Sequence, residues 1–85
     1  MAVEIRIPVV DETTEEVKVV RWFKRKGDTI AAGEVLLEVE TDKAALEVES
    51  FADGVVLEIL VEEGQEIPVN SVVAIVGDVE EGVSG

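Results

Sequence analysis

The chain repeats itself at a spacing of 37 residues. Residues 19–39 align with residues 56–76, and Gly27 falls on Gly64 at this offset. Each copy consists of short apolar runs that read as strands, with a turn centred on the glycine. Two copies of one such unit predict an all-β domain with quasi-two-fold symmetry. We expect two small antiparallel sheets that pack face to face, as a sandwich or a flattened barrel.

The repeat is uneven near its beginning. Residues 3–7 resemble the strand at residues 45–49. Ile5 falls on Leu46 and Ile7 on Val48, an offset of 41, whereas the offset further on is 37. The connection after the first strand is therefore expected to be about four residues longer than its counterpart. This connection carries the polar residues Asp11, Glu12, Thr13, Thr14, Glu15 and Glu16. Loops carry function more often than cores do, and symmetry places this loop at the end of the domain that holds Lys43.

The most informative local pattern surrounds Lys43. Residues 36–40 alternate apolar and acidic side chains, and residues 45–49 do the same. If the chain folds back through a two-residue loop ending at Lys43, Val39 faces Leu46 and the two alternations stay in phase, as a tight hairpin requires. The lysine then stands at the tip with its side chain projecting outward. A lysine that is to be modified is expected in such a place.

Three observations leave this interpretation open. A two-residue hairpin loop prefers residues that accept positive φ, such as Asn-Gly, and Lys43 is a poor choice for such a position. A slip of two residues would also keep the alternation in phase. A lysine at a hairpin tip can, finally, be an ordinary exposed side chain on a strand edge.

Composition restricts the chemistry. Eighty-five residues form one domain near the small end of what folds unaided, and the chain contains neither cysteine nor histidine. It therefore lacks disulfides and the commonest general base and metal ligand. We find no phosphate-binding glycine loop and no metal-ligand motif, so we expect no catalytic site. No apolar run reaches membrane-spanning length and no targeting segment precedes the first strand, which predicts an intracellular protein.

The charge is strongly negative. Twenty acidic residues oppose seven basic ones, and all seven lie at or before Lys43. Such a surface repels nucleic acids and anionic membranes, so neither is expected as a partner. The acidity either keeps the domain soluble and protects its strand edges or steers it toward a basic partner.

Five short motifs lie along the chain. They are Glu40-Thr41-Asp42-Lys43-Ala44, Val19-x-x-Trp22, Lys26-Gly27-Asp28, Gly33-Glu34-x-Leu36 and Ala52-Asp53-Gly54. Together they resemble the lipoyl domain of the dihydrolipoamide acyltransferases of 2-oxo acid dehydrogenase complexes. The fold of that family is a flattened barrel of two four-stranded sheets with quasi-two-fold symmetry. The resemblance predicts a lipoyl domain over 1–77 and the start of a flexible linker over 78–85.

The resemblance also implies a cofactor and partners. Lipoate would be joined by an amide bond to Lys43, with Glu40, Thr41, Asp42 and Ala44 recognised around it, and residues 11–16 would contact the thiamine-diphosphate-dependent 2-oxo acid decarboxylase. The arm would be reductively acylated there, deliver the acyl group to coenzyme A at the acyltransferase core, and be reoxidised by dihydrolipoamide dehydrogenase. A lipoate-attaching enzyme is the remaining partner. We expect a monomeric domain in a bacterial cytoplasm or a mitochondrial matrix.

Alternatives remain open within and beyond this family. Glu12-Thr13 and Leu46-Glu47-Val48 favour the succinyl-transferring (2-oxoglutarate) branch, while acetyl-transferring, branched-chain and acetoin complexes stay open. The related biotinyl domains carry Met-Lys-Met, whereas Asp42 and Ala44 flank the lysine here, which favours lipoate over biotin. A third interpretation is an unmodified interaction module whose acidic surface docks a basic partner.

Overall fold

The computed structural model describes residues 2–9 and 12–78. These residues form eight strands, which are β1 Val3–Arg6, β2 Glu16–Trp22, β3 Thr29–Ile30, β4 Val35–Glu40, β5 Ala45–Glu49, β6 Gly54–Ile59, β7 Glu66–Pro68 and β8 Val72–Gly77. Within these two ranges no helix has the length and apolar character to cross a membrane. Asp11 and most of the predicted linker, residues 79–85, lie outside the described residues.

The strands form two four-stranded sheets, in the orders β1-β8-β6-β3 and β5-β4-β2-β7. Every neighbouring pair is antiparallel. The two sheets are equivalent under the repeat. Strands β1, β8, β6 and β3 of the first sheet correspond, in that order, to β5, β4, β2 and β7 of the second. Each sheet therefore combines strands from both halves of the chain. The predicted class, two small antiparallel sheets related by a quasi-two-fold, is confirmed.

The core lies between the two sheets and consists of branched apolar side chains. Those with at most 1% of their surface exposed are Ile5, Ile7, Val19, Leu36, Leu37, Val39, Val56, Val73, Ala74 and Val76. Burying a valine, leucine or isoleucine side chain contributes about 1.5–3 kcal/mol, so this layer supplies most of the stabilisation of a domain without disulfides. Trp22 packs against the core and donates its indole N–H to the carbonyl of Val61 at 3.1 Å. The tryptophan is thus part of the framework, as its place in the repeat predicts.

Two turns show how closely the halves correspond. In the turns 25–28 and 62–65, the side chain of the fourth residue accepts the backbone N–H of the first, at 2.8 Å for Asp28 and 3.0 Å for Gln65. The glycine in third place has φ of 94° in one turn and 89° in the other. Each glycine donates its N–H to a strand of the other half, at 2.8 and 2.7 Å. Two different sequences therefore form turns with the same backbone conformation and the same hydrogen bonds.

The predicted offset at the first strand is wrong by two residues. Ile5 pairs with Ala74 and Val48 pairs with Leu37, and Leu37 corresponds to Ala74 in the repeat. Ile5 therefore corresponds to Val48, an offset of 43 rather than 41, so between equivalent positions of the repeat the first half holds six more residues than the second, rather than four. A shift of two residues leaves the same face of the strand toward the core, so the alternation could not reveal it.

Strand β8 runs from the end of the molecule that holds the β1–β2 loop toward the opposite end. Ile7 donates its N–H to the carbonyl of Ser71 at 3.0 Å, and Val69 donates to the carbonyl of Glu15 at 2.9 Å, so the β1–β2 loop lies where β8 begins. The strand then continues for six residues, which is roughly 17 Å at the usual rise. Gly77 consequently lies toward the opposite end of a domain that measures 41 × 20 × 17 Å.

Candidate functional site

The hairpin around Lys43 has the predicted register. Val39 pairs with Leu46 and Glu38 with Glu47, so the apolar side chains share the inner face and the carboxylates share the outer face. The alternative register, slipped by two residues, is thereby excluded. Burial of one face of the hairpin excludes a slip of one residue, and the two-residue turn closed between Thr41 and Ala44 fixes the pairing among the registers that remain.

The turn is closed by two residues, Asp42 and Lys43, both exposed. Thr41 donates its backbone N–H to the carbonyl of Ala44 at 2.8 Å. Neither loop residue has a positive φ, since Asn70 is the one non-glycine residue of the described ranges with that conformation. Instead, Oγ1 of Thr41 accepts the N–H groups of Lys43 and Ala44, each at 3.1 Å. This side chain explains how a lysine can occupy a position where a two-residue hairpin would otherwise favour glycine.

The β1–β2 loop reaches the turn. Nζ of Lys43 lies 3.3 Å from Oγ1 of Thr13, a residue that is 30 positions earlier in the chain. The prediction that symmetry brings the extended loop to the Lys43 end of the domain is confirmed. The added residues of the first half are thus placed beside the amine, on the end of the molecule away from Gly77.

An open groove of about 400 Å³ runs between the β1–β2 loop and the Lys43 turn. It is lined by Thr13, Thr14, Glu15, Glu16, Val17, Lys18, Glu40, Thr41, Asp42 and Glu66. Five of these residues are carboxylates and one is an amine, which makes the groove negative. The described residues contain no group of side chains suited to hold a metal ion. The lining therefore presents mostly polar and negatively charged side chains.

The structure brings together most of the predicted site residues. Seven of them share the groove, namely Thr13, Thr14, Glu15, Glu16, Glu40, Thr41 and Asp42. Glu12 and Ala44 are exposed next to it and do not line it. Asp11 lies outside the described residues.

Three groove residues, Val17, Lys18 and Glu66, were not anticipated from the sequence, and two of them are charged. Lys18 pairs with Glu40 on one side and with Glu66 of β7 on the other, so all three lie in a row across the sheet. Glu66 is far from Lys18 in the chain, and no local pattern connects them. The pairing of β2 with β7 is the two-fold counterpart of the pairing of β6 with β3, and this symmetry is the one signal that could have indicated it.

Comparison with known proteins agrees with this geometry. The model of a family described as biotin-requiring enzymes matches residues 3–76. The acetyltransferase component of the pyruvate dehydrogenase complex of Rickettsia prowazekii is 41% identical over 79 residues, which is 92% of this chain and 19% of that protein. The chain belongs to the biotinyl/lipoyl attachment family, as a lipoyl domain. A mitochondrial component 2 of the same name from Arabidopsis thaliana is 44% identical over 81 residues, 94% of this chain and 15% of that protein. The lipoyl domain thus spans about a fifth or less of the length of these relatives.

Solved structures show the same fold. The lipoyl domain of the 2-oxoglutarate dehydrogenase complex of Azotobacter vinelandii superposes with a TM-score of 0.73 at 29% identity, covering 89% of this chain and 96% of that one. Urea carboxylase of Kluyveromyces lactis has a TM-score of 0.77 at 19% identity, covering 91% of this chain and 6% of that one. The second likeness shows the fold alone. Lipoyl domains of the dihydrolipoamide acyltransferases carry lipoate covalently on a lysine and have no catalytic site of their own.

Proposed function

We propose that this lipoyl domain carries its lipoate in amide linkage to Nζ of Lys43. The observation that supports this most directly is the exposed amine at the tip of a short, hydrogen-bonded turn. The other three lysines are placed differently, since Lys18 lies within β2 and Lys24 and Lys26 lie in the connection between β2 and β3. A long arm attached at Lys43 would extend into solvent from a rigid base.

The residues around the lysine fit this role. Bound lipoate supplies a cyclic disulfide that can accept an acyl group and hand it to coenzyme A. Thr41 and the paired strands hold the base of the arm, and Thr13 lies against the amine. The groove between them offers a negatively charged surface next to the point of attachment. This chain therefore contributes position and recognition, while other proteins contribute the reactions.

We extend the proposal to the partners implied by the sequence. These are a thiamine-diphosphate-dependent decarboxylase, the acyltransferase core, dihydrolipoamide dehydrogenase and a lipoate-attaching enzyme. The groove's carboxylates support docking of a positively charged partner surface, since complementary charge accelerates association. We propose a monomeric domain over 1–77, followed by a linker. Its relatives are bacterial, mitochondrial and chloroplastic, which supports a bacterial cytoplasm or an organelle interior as its location.

The next question is which acyl group the domain carries, and so which 2-oxo acid complex it serves. The sequence favoured the succinyl branch, and the Azotobacter domain at 29% identity belongs to a 2-oxoglutarate complex. The curated relatives at 41 and 44% identity are acetyltransferase components of pyruvate dehydrogenase. We therefore propose pyruvate as the first candidate and 2-oxoglutarate as the second. Reductive acylation of the lipoylated domain by each purified decarboxylase, compared as kcat/KM, distinguishes them.

The attachment site is tested by intact mass after expression in a host that makes lipoate. We expect a lipoyl increment in the wild-type chain and none in Lys43→Arg, while Lys24→Arg, the matched control, retains it. An increment that persists in Lys43→Arg would contradict the assignment. A biotin increment would select a biotin carrier, and no increment at all would select the unmodified interaction module.

The same lysine tests whether fold and function are separable. Lys43→Ala should abolish acyl carriage, because no other group can replace the amide-linked arm. Its free energy of unfolding should change by no more than about 0.5 kcal/mol, as is usual for an exposed residue. Urea unfolding and reductive acylation measured on the same preparations check both expectations. A large loss of stability would show that Lys43 is part of the framework.

A further inference from the structure

The hydrogen bonds that close the Lys43 turn depend on a side chain. Thr41 donates its N–H to the carbonyl of Ala44 at 2.8 Å. The return bond, from the N–H of Ala44, goes to Oγ1 of Thr41 at 3.1 Å rather than to its backbone carbonyl. The same oxygen accepts the N–H of Lys43 at 3.1 Å and lies 3.3 Å from the carbonyl of Ala44, to which the hydroxyl can donate. One hydroxyl thus contacts three backbone groups of a four-residue turn.

This arrangement solves a problem that the sequence poses. Two-residue hairpin loops usually adopt positive φ, because other turns direct the two strands apart. Asp42 and Lys43 do not adopt positive φ. The hydroxyl of Thr41 replaces the backbone carbonyl as acceptor, and so the strands remain paired up to Glu40 and Ala45. The turn keeps a lysine in place without a glycine or an asparagine.

We propose that Thr41 is a positioning residue for the modification of Lys43. Its hydroxyl holds the backbone amide of the lysine itself, and it thereby sets the direction in which the side chain leaves the turn. The amine is then presented to the attaching enzyme in one orientation. The kinetic part of this inference rests on the proposed attachment of lipoate to Lys43, whereas the hydrogen bonding of the turn does not depend on it.

The expected consequence is larger for rate than for stability. The amides of Lys43 and Ala44 lie at an exposed tip, where water can replace a lost acceptor. Orientation of a reacting amine is far more sensitive, because a displacement on the order of 1 Å can reduce a rate by about 10²-fold. A residue that only stabilised the fold would leave the modification rate unchanged as long as the domain stayed folded.

Three substitutions test the proposal. Thr41→Val keeps the shape of the side chain and removes the acceptor, and Thr41→Ser keeps the hydroxyl. Thr29→Val is the matched control, since Thr29 is an exposed strand residue of β3. With a purified lipoate-protein ligase, we expect Thr41→Val to lower kcat by roughly 10-fold while KM stays within about twofold, because the enzyme still contacts the rest of the domain. Thr41→Ser and Thr29→Val should stay within about threefold of the wild-type kcat.

Amide hydrogen exchange supplies a readout that needs no lipoate. In the wild-type domain, the amides of Lys43 and Ala44 should exchange at least about 10-fold more slowly than that of Asp42, because they donate to Oγ1 of Thr41. This protection should disappear in Thr41→Val and remain in Thr41→Ser. If Thr41→Val does not fold, the exchange pattern of the wild-type domain still decides whether the hydroxyl holds the turn.

The outcomes separate the two proposals. Slow modification of Thr41→Val with rescue by Thr41→Ser supports positioning by the hydroxyl. Wild-type kcat in Thr41→Val, or an equal loss in Thr41→Ser, overturns it, as does unprotected exchange at both wild-type amides. If the wild-type domain is not modified at Lys43, the proposed function fails, and the exchange measurements alone decide the role of Thr41 in the turn.

Discussion

The two halves of the domain agree at their turns and differ in the connection that follows the first strand of each half. Turns 25–28 and 62–65 make the same hydrogen bonds, although one reads Arg-Lys-Gly-Asp and the other Glu-Glu-Gly-Gln. Between equivalent positions of the repeat, the β1–β2 connection holds six more residues than the β5–β6 connection, and its Thr13 reaches Lys43. The comparison shows that the two-fold is a property of the backbone. The two halves follow the same symmetry where strands pair, and they differ in the connection that lies next to the candidate site.

The largest expected loss of stability arises at Gly54, where the short connection enters β6. This residue has φ of 152°, and an added Cβ would collide with the carbonyl oxygen of Gly77 and lie 3.4 Å from Cγ1 of Val76. Its counterpart in the first half is Val17, which is only 2% exposed. Gly54→Ala should lower the free energy of unfolding by about 3 kcal/mol or more, since backbone must move. Val17→Ala, which leaves a cavity, should lose about 2 kcal/mol.

Urea unfolding followed by the fluorescence of Trp22 measures both changes. If Gly54→Ala were no worse than Val17→Ala, the carbonyl of Gly77 could move away easily. The close approach at Gly54 would then not be a requirement of the second half. A loss well above that of Val17→Ala would sharpen the contrast between the two connections.

The next effect concerns the long connection. Replacing Glu12, Glu15 and Glu16 by glutamine should slow reductive acylation of the lipoylated domain by roughly fivefold at low salt, because these carboxylates belong to the loop whose Thr13 contacts Lys43 and complementary charge speeds association. The difference should shrink as salt rises. Lipoylation and stability should change little, since exposed carboxylates contribute little to stability.

The matched control lies in the second half. Glu62 and Glu63 occupy the 62–65 turn. The backbone N–H of Trp22 donates to Oε2 of Glu63 at 3.0 Å, and glutamine at position 63 keeps a side-chain oxygen that can accept this bond. Glu62→Gln with Glu63→Gln should acylate at nearly the wild-type rate. Equal rates in the wild type, the triple variant and the control would place recognition in the hairpin rather than in the loop.

A smaller effect tests the equivalence of the two turns. Asp28→Ala and Gln65→Ala each remove the acceptor of the first N–H of the turn. Asp28 is charged and follows Arg25 and Lys26, so its removal should lower the free energy of unfolding by about 1 kcal/mol, against about 0.5 kcal/mol for Gln65. The urea midpoints of the two variants report these losses. A larger loss for Gln65→Ala would show that the charge of the turn does not strengthen the bond.

The smallest effect is a difference in acid sensitivity. Glu34 accepts the N–H of Ala31 at 2.9 Å and pairs with Lys24 at 3.0 Å, and these two interactions hold the pKa of its carboxyl below the usual value of 4.5. The corresponding residue of the second half is Ser71, whose hydroxyl donates to the carbonyl of Pro68 and does not titrate in this range. The two halves should therefore respond differently to acid.

The sign follows from linkage. A lowered pKa in the folded state stabilises the fold above the unfolded value of about 4.5, and this contribution is lost as the pH falls through the folded value. Wild-type protein should accordingly lose slightly more stability between pH 7 and pH 3 than Glu34→Gln does. Urea midpoints at the two pH values measure this. A parallel decline would show that solvent screens the interaction, while Ser71→Ala should decline like the wild type.

Several features followed from the sequence because they depend on periodicity. The alternation on both sides of Lys43 predicted the pairing of Val39 with Leu46, and the repeat predicted two small antiparallel sheets related by a quasi-two-fold. Both patterns record which face of each strand is buried. Since one face of every strand must meet the core, burial fixes which face of each strand points inward, and the two-residue turn then fixes the pairing at Lys43.

The tertiary structure alone decided the features that periodicity cannot express. The offset of β1 was wrong by two residues because such a shift leaves the same side chains inward. The contact of Lys43 with Thr13, and the row of Lys18 between Glu40 and Glu66, join segments far apart in the chain. The hydrogen bonds of Thr41 arise from the direction of one hydroxyl in a closed turn. A repeat determines which strands can pair, whereas the position of a polar side chain depends on distances that exist only once those strands have packed.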